Sequence, residues 1–221
     1  MKKVVKFGGS SLASAEQFKK VGNIIMSDPD RKYVIPSAPG KRFTKDTKVT
    51  DLLYRCYEAA VSGEDFSETL NQIKERYNEI IQGLGLDLSL DDEFSVIETS
   101  FKNKEGKDYA ASRGEYLNGI IMAKYLDYEF VDPVNYIFFS ENGRLNQEKT
   151  YKNLGKKLAK TERAVIPGFY GCGVDGKVQT FSRGGSDVTG SIVAKAVIAD
   201  IYENWTDVSG VLVADPRIIE N

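Results

Sequence analysis

Val4-Val5-Lys6-Phe7-Gly8-Gly9-Ser10-Ser11 reads as a short apolar strand, a lysine near its end, and a Gly-Gly-Ser-Ser turn ahead of a helix capped at Ser14. Two adjacent glycines let backbone N–H groups face one concavity with no Cβ in the way, and the lysine adds a positive charge beside them. That arrangement suits an oxyanion. Taken alone, the same residues also make an ordinary connection between a strand and a helix. A second glycine pair, in Arg183-Gly184-Gly185-Ser186-Asp187, again precedes an apolar helix. The sequence therefore offers two helix starts able to receive an anion.

Outward from that first strand, short apolar runs bounded by turn residues recur at Lys3 to Phe7, Tyr33 to Pro36, Tyr128 to Val131 and Ala164 to Pro167, each next to a helical pattern. Such alternation predicts an α/β fold, a three-layer α/β/α sandwich around a mainly parallel sheet. Ser14 and Gln17 read as a capping box for the first helix, with Phe18, Val21, Ile24 and Ile25 on its core face. Residues 49–125 contain no proline and are nearly all helical in pattern; Phe66, Leu70, Ile73, Tyr77, Ile80, Ile81 and Leu84 keep helical spacing until Gly83 and Gly85 end the run. The expectation is a helical subdomain inserted on the sheet, in which only the last helix bears on chemistry. Asp175-Gly176 signals a two-residue hairpin that would bring Arg183 to the rim of the sheet. Ile192 to Ile198 reads as a last apolar helix and Ile201-Tyr202 as a strand. The charged stretch Lys41 to Lys48 reads as a surface loop beside Ser37-Ala38-Pro39-Gly40, placed where it could close over a site.

Composition narrows the chemistry. The 30 Lys and Arg against 32 Asp and Glu give a formal net charge of −2, which argues against a nucleic-acid partner. No apolar run approaches the about 20 residues that span a bilayer, and the N-terminus lacks the apolar core of a signal peptide. With two cysteines in neither a metal-ligand nor a disulfide pattern, the expectation is a cytoplasmic protein with no membrane partner. The chain has no histidine, so Ser-His-Asp and Cys-His catalysis and His-based zinc sites are excluded. Phosphoryl transfer to an acceptor that is already ionised tolerates this, because positioning and charge stabilisation carry it and no proton need be abstracted.

Six stretches taken together carry a resemblance: Lys6-Phe7-Gly8-Gly9-Ser10-Ser11, Ser37-Ala38-Pro39-Gly40, Lys48-Val49-Thr50-Asp51-Leu52-Leu53, Ser112-Arg113-Gly114-Glu115, Arg183-Gly184-Gly185-Ser186-Asp187, and Trp205-Thr206-Asp207-Val208-Ser209-Gly210-Val211 through Ala214-Asp215-Pro216-Arg217. In order and spacing the chain resembles the amino-acid kinase family, and within it the aspartate kinases, over all 221 residues. The resemblance implies transfer of the ATP γ-phosphoryl group to the side-chain carboxylate of L-aspartate, giving 4-phospho-L-aspartate, the first step toward lysine, threonine and methionine. Mg²⁺ would be held mainly by the phosphates and water, and the full-length enzyme would be a homo-oligomer.

The same resemblance assigns roles. Lys6 would meet the β- and γ-phosphates, and the N–H groups of Gly8 and Gly9 would hold the transferred group, with Phe7 and Ser10 in the same nucleotide segment. Arg183 would clamp a substrate carboxylate in bidentate fashion, flanked by Gly184, Gly185 and Ser186. Glu115 would bind the substrate ammonium, with Gly114 leaving room for close approach, and the hydroxyls of Ser37 and Thr50 would complete that pocket. Asp187, counted with Lys6 as catalytic, would orient either Lys6 or the ammonium. Thr206 and Asp207 would hold the nucleotide, Arg217 would lie near its phosphates or base, and Leu212, where some relatives carry tyrosine, would offer an apolar or backbone contact.

Aspartate kinases continue past the Asp-Pro-Arg motif into the rest of a nucleotide lobe and a pair of ACT regulatory modules, whereas this sequence ends at Asn221. The expected organisation is a C-terminally truncated kinase domain without ACT modules. Residues 1–48 and 126–182 would form a substrate lobe, 49–125 the helical subdomain and 183–221 the start of the nucleotide lobe. Such a chain could bind ligands without full activity. Two rival readings are a non-catalytic amino-acid-binding or dimerisation module, and a related kinase for glutamate or N-acetylglutamate differing around Glu115 and Arg183.

Overall fold

Successive residues of the central strands fall alternately into two hydrophobic clusters, and that alternation sets the architecture. In the computed structural model, which describes residues 1–182 and 184–206, Val5, Val34 and Val165 face one side of a sheet, and Val4, Tyr33, Ile35 and Ala164 the other. Both sides are dry at the central strands, as a parallel sheet requires. The strands are β1 (Lys3–Phe7), β2 (Arg31–Pro36), β3 (Glu129–Phe130), β4 (Ala164–Val165) and β7 (Ile201–Trp205), in the spatial order β3-β4-β2-β1-β7, and every neighbouring pair is parallel. A separate antiparallel pair, β5 (Tyr170–Cys172) and β6 (Val178–Thr180), lies apart from that sheet.

One face carries α1 (Ala15–Met26), α2 (Val49–Ser62), α3 (Ser67–Leu84), α4 (Asp91–Lys102) and α5 (Lys107–Leu126); the other carries α6 (Gln147–Leu158) and α7 (Gly185–Val197). This is the expected three-layer sandwich. Residues 49–125 are helical as expected, but α2 to α5 share one hydrophobic core with Val5, Phe7, Val34 and Val165. They form a layer of the sandwich and not a separately packed unit. Within it α5 is buried nearly all round, Arg113 and Glu115 included.

Several local expectations shift. Ser14 caps α1, its Oγ accepting from the Gln17 N–H at 3.4 Å. Gly83 lies inside α3 and Gly85, at φ +66°, ends it; an added Cβ at Gly83 would come 2.5 Å from the Ala15 Cβ, so that glycine serves the approach of α1 to α3. The hairpin has a three-residue loop, Val174 to Gly176, closed by Gly173 N–H to the Lys177 carbonyl at 2.8 Å, with Gly176 in the left-handed position at φ +79°. A glycine able to take positive φ one place beyond a tight turn favours this bulged form over the two-residue one. The last helix begins at Gly185, well before Ile192, and Ile198 falls outside it. Of the two glycine pairs, only the second opens a regular helix; the first leads into a 3-10 turn, Gly9–Leu12.

Candidate functional site

Following the chain from β1 to β2 leads to one side of the sheet, and β7 returns on the other side of β1. The carboxyl ends of strands at such a reversal leave a crevice between the diverging loops. Here it is a cleft of about 580 Å³. Gly8, Gly9 and Ser10 follow β1, Ala38, Pro39 and Gly40 follow β2, and Thr206 follows β7; Thr50 of α2 and Glu115 of α5 close the inner side, and Lys41, Phe43, Thr44 and Lys48 form the outer wall. Glu203 fastens β7 in place through Arg31 at 2.9 Å and Lys3 at 3.5 Å, and Trp205 stacks on Phe7 with centroids 6.1 Å apart.

The two turns on the floor touch. Gly40 N–H donates to the Gly9 carbonyl at 2.8 Å, and a Cβ on Gly9 would stand 2.7 Å from the Ala38 carbonyl oxygen. Gly8 differs: its nearest neighbours would lie 3.9 Å from an added Cβ, one of them Lys6 Nζ, so this glycine keeps the cradle itself open. Gly114 is close to the Ala38 Cβ, at 2.8 Å from an added Cβ. Its small size therefore seats α5 against the β2 loop, and does not serve the close approach of a ligand expected from the sequence.

Lys6 is almost buried, and its Nζ pairs with Asp187 Oδ1 at 2.7 Å. Asn204, opposite Lys6 in the β1–β7 register, donates to the same Oδ1 at 3.2 Å, and the Tyr202 hydroxyl donates to the Asp187 carbonyl at 3.3 Å. Of the two partners weighed for Asp187, Lys6 is the one it meets. Asn204 belongs to no sequence motif; the cross-strand register is what places it there.

Glu115 is 7% exposed, and its Oε2 is buried without a hydrogen-bond partner. Burial pushes its carboxyl up to about 8, against backbone donors at Ala38 and Glu115 and the charge of Arg113, which favour the ionised form. Such a carboxyl is short of a cation. Ser37 is held by its own backbone, N–H to the Phe7 carbonyl at 3.1 Å and carbonyl to Asn118 Nδ2 at 2.6 Å.

The remaining expected residues divide. Gly8, Gly9, Ser10, Thr50, Glu115 and Thr206 line the cleft. The Phe7 side chain lies in the core, which leaves only its backbone near the turn. Gly185 packs on Phe169, 2.5 Å from an added Cβ, and Ser186 packs on Gly168; neither is among the lining residues, nor is Gly184, which caps α7 at φ +57°. Arg183, Asp207, Leu212 and Arg217 lie outside the described residues. Lys41, in the charged loop, and Lys48, in the Lys48-Val49-Thr50 motif, stand in the wall as well.

Among the described residues, no helix is long and apolar enough to cross a membrane. The sequence profile described as amino acid kinase family matches residues 1–221. The chain is 42% identical over 233 residues to aspartokinase 3 of Bacillus subtilis, across 99% of this chain and 51% of that protein. The structure of Clostridium acetobutylicum aspartate kinase superposes with a TM-score of 0.95 at 54% identity, over 100% of this chain and 51% of the other. Escherichia coli aspartokinase III, solved in complex with aspartate and ADP, has the same fold, with a TM-score of 0.84 at 24% identity and 52% of its length covered. The chain thus spans about half the length of these relatives.

Proposed function

The chain belongs to the amino acid kinase family, and from that premise we propose that its cleft binds ATP and L-aspartate for transfer of the γ-phosphoryl group to the aspartate side chain. The observation that carries this reading is one cleft holding a glycine cradle above a buried lysine and, across from it, a buried carboxyl with one oxygen lacking a partner. The first suits phosphate; the second suits an ammonium group. The named aspartokinase relatives, and the aspartate and ADP bound by the Escherichia coli protein, support the choice of ligands.

In the reaction a side-chain carboxylate oxygen bonds to the γ-phosphorus as its bond to the bridging β–γ oxygen breaks, giving 4-phospho-L-aspartate and ADP. The acceptor is already ionised, so no base is called on. Lys6, aimed by Asp187, stabilises charge on the transferred group, the N–H groups of Gly8 and Gly9 cradle it, and Ser10 and Thr206 flank the nucleotide. Glu115 takes the substrate ammonium, Thr50 and Ser37 its polar edges, and Arg183, beside Gly184 and Ser186, its carboxylate. Hydroxyls, amides and lysines dominate the wall, a set suited to phosphate oxygens, so Mg²⁺ would travel on the nucleotide and supply charge neutralisation there. Residues 1–48 and 126–182 then form the substrate lobe under the helices of 49–125, and 183–221 begin the nucleotide lobe. The product would feed synthesis of lysine, threonine and methionine.

Calorimetry with L-aspartate, L-glutamate and MgATP tests the assignment on the wild-type chain, on Glu115→Gln and on Arg183→Ala. L-Aspartate should bind in preference to L-glutamate, and each variant should weaken it by at least about tenfold, the loss expected when one partner of a buried ionic contact is removed. Equal heats for the two amino acids, or no loss in either variant, would remove aspartate as the substrate.

A further inference from the structure

The charges around the cleft do not balance where the reaction scheme puts them. Lys6 is neutralised by Asp187 at 2.7 Å. Lys41 and Lys48 line the outer wall, are exposed, and their ammonium groups form no ion pair or hydrogen bond among the described residues. Among the described residues, the free positive charge facing the cleft thus sits on the strap of residues 40–48, outside the glycine cradle.

That strap is not a loose loop. Arg76 of α3, 3% exposed, reaches under it and donates to the carbonyls of Gly40, at one end, and Thr47, at the other, the latter at 3.0 Å. The same guanidinium pairs with Asp46 at 2.9 Å, and Asp46 accepts from the Arg42 backbone N–H at 2.9 Å and its Nε at 3.0 Å. Although burial alone would raise the Asp46 carboxyl, these donors and the Arg76 charge hold it well below the usual carboxylate range. Val49 N–H to the Pro39 carbonyl at 3.3 Å closes the base of the strap, and Gly40 is bonded to Gly9 on the floor. One buried side chain therefore fixes both ends of the segment that presents the two unpaired lysines.

We infer that Lys41 and Lys48 grip an oxyanion of the ligand from the open side of the cleft, and that Arg76 is a positioning residue acting through them. The oxyanion could be a nucleotide phosphate or the substrate carboxylate. That ligand identity rests on the proposed function; the grip itself does not.

The experiment is calorimetry on the chain with three separate probes, inorganic tripolyphosphate, MgATP and L-aspartate, at two salt concentrations. The double variant Lys41→Ala/Lys48→Ala should weaken whichever probe is gripped by about tenfold, the sum of two partly screened contacts, and flatten its salt dependence. Arginine at both positions should retain binding. Arg76→Met should weaken the same probe yet add nothing further in the double-alanine background, with Asp46→Asn as the second variant if circular dichroism shows Arg76→Met unfolded. Unchanged affinity and salt slope in the double variant overturn the grip, while an Arg76→Met loss of equal size in both backgrounds overturns its positioning role. If tripolyphosphate binds in a lysine-dependent way but L-aspartate does not bind, the substrate assignment falls and this inference stands; a wild-type chain that binds none of the probes overturns both.

Discussion

Glu115 shows what a single residue can report. Its carboxyl, pushed up to about 8 by burial, is mostly protonated at pH 7 in the free protein. An ammonium group delivered to Oε2 would favour the ionised form, so binding an amino acid at pH 7 should release close to one proton. Calorimetry in buffers of differing ionisation enthalpy would read that release, and equal observed heats in all buffers would contradict the contact. The same shift bears on stability. A native value above the unfolded one of 4.5 means stability is fully present below about pH 4.5 and declines as pH rises toward 8. Glu115→Gln should therefore gain in melting temperature relative to wild type between pH 5 and pH 8, with on the order of 4 kcal/mol as an upper bound. At this scale the sequence was informative where chemistry follows from neighbours in the chain, as with Lys6 before its glycines. It left Asp187 with two candidate partners, of which folding selects Lys6, and it was silent on Asn204 at Asp187 and on Arg76 beneath the strap, contacts that only the folded chain brings together.

Among the elements, the strand ends and their glycines decide the cleft, and each glycine does so differently. At Gly8, φ is −72° and nothing crowds an added Cβ, so Gly8→Ala should leave thermal stability within about 0.5 kcal/mol or raise it slightly, while weakening phosphate binding because the methyl enters the cradle. Gly40→Ala would place its Cβ 2.6 Å from the Gly9 backbone, and should destabilise by about 2 kcal/mol as overpacked sites do. Thermal melts paired with tripolyphosphate titration separate the two, and equal stability losses would contradict the assignment. Alternating apolar runs made β1 and β2 readable because both lie buried in the sheet. For β3 and β4 the runs overstated the length, in part because Pro167 has no N–H to extend a ladder. The hairpin loop differed because a glycine signal marks a turn without fixing the number of residues in it.

Over the whole molecule, the sheet separates two hydrophobic clusters, one under α1 to α5 and one under α6 and α7. The two cysteines sample this difference in packing. Cys56 lies in the first cluster, its thiol pushed up to about 12 by burial, while Cys172 lies half-buried in the hairpin. A neutral thiol reagent should label one cysteine quickly and the other only when the helical layer opens; two fast reactions would contradict the closed core. The order of layers was readable from alternation alone, whereas the merging of residues 49–125 into the common core was not, since helical periodicity shows which face is apolar and says nothing of what covers it. With no histidine in the chain, the ordinary buffer of neutral solution is missing. Among the described residues the enclosed Glu115 carboxyl, pushed up to about 8, takes up a proton in that range, so the protein's charge there should gauge whether the proposed amino-acid seat is filled.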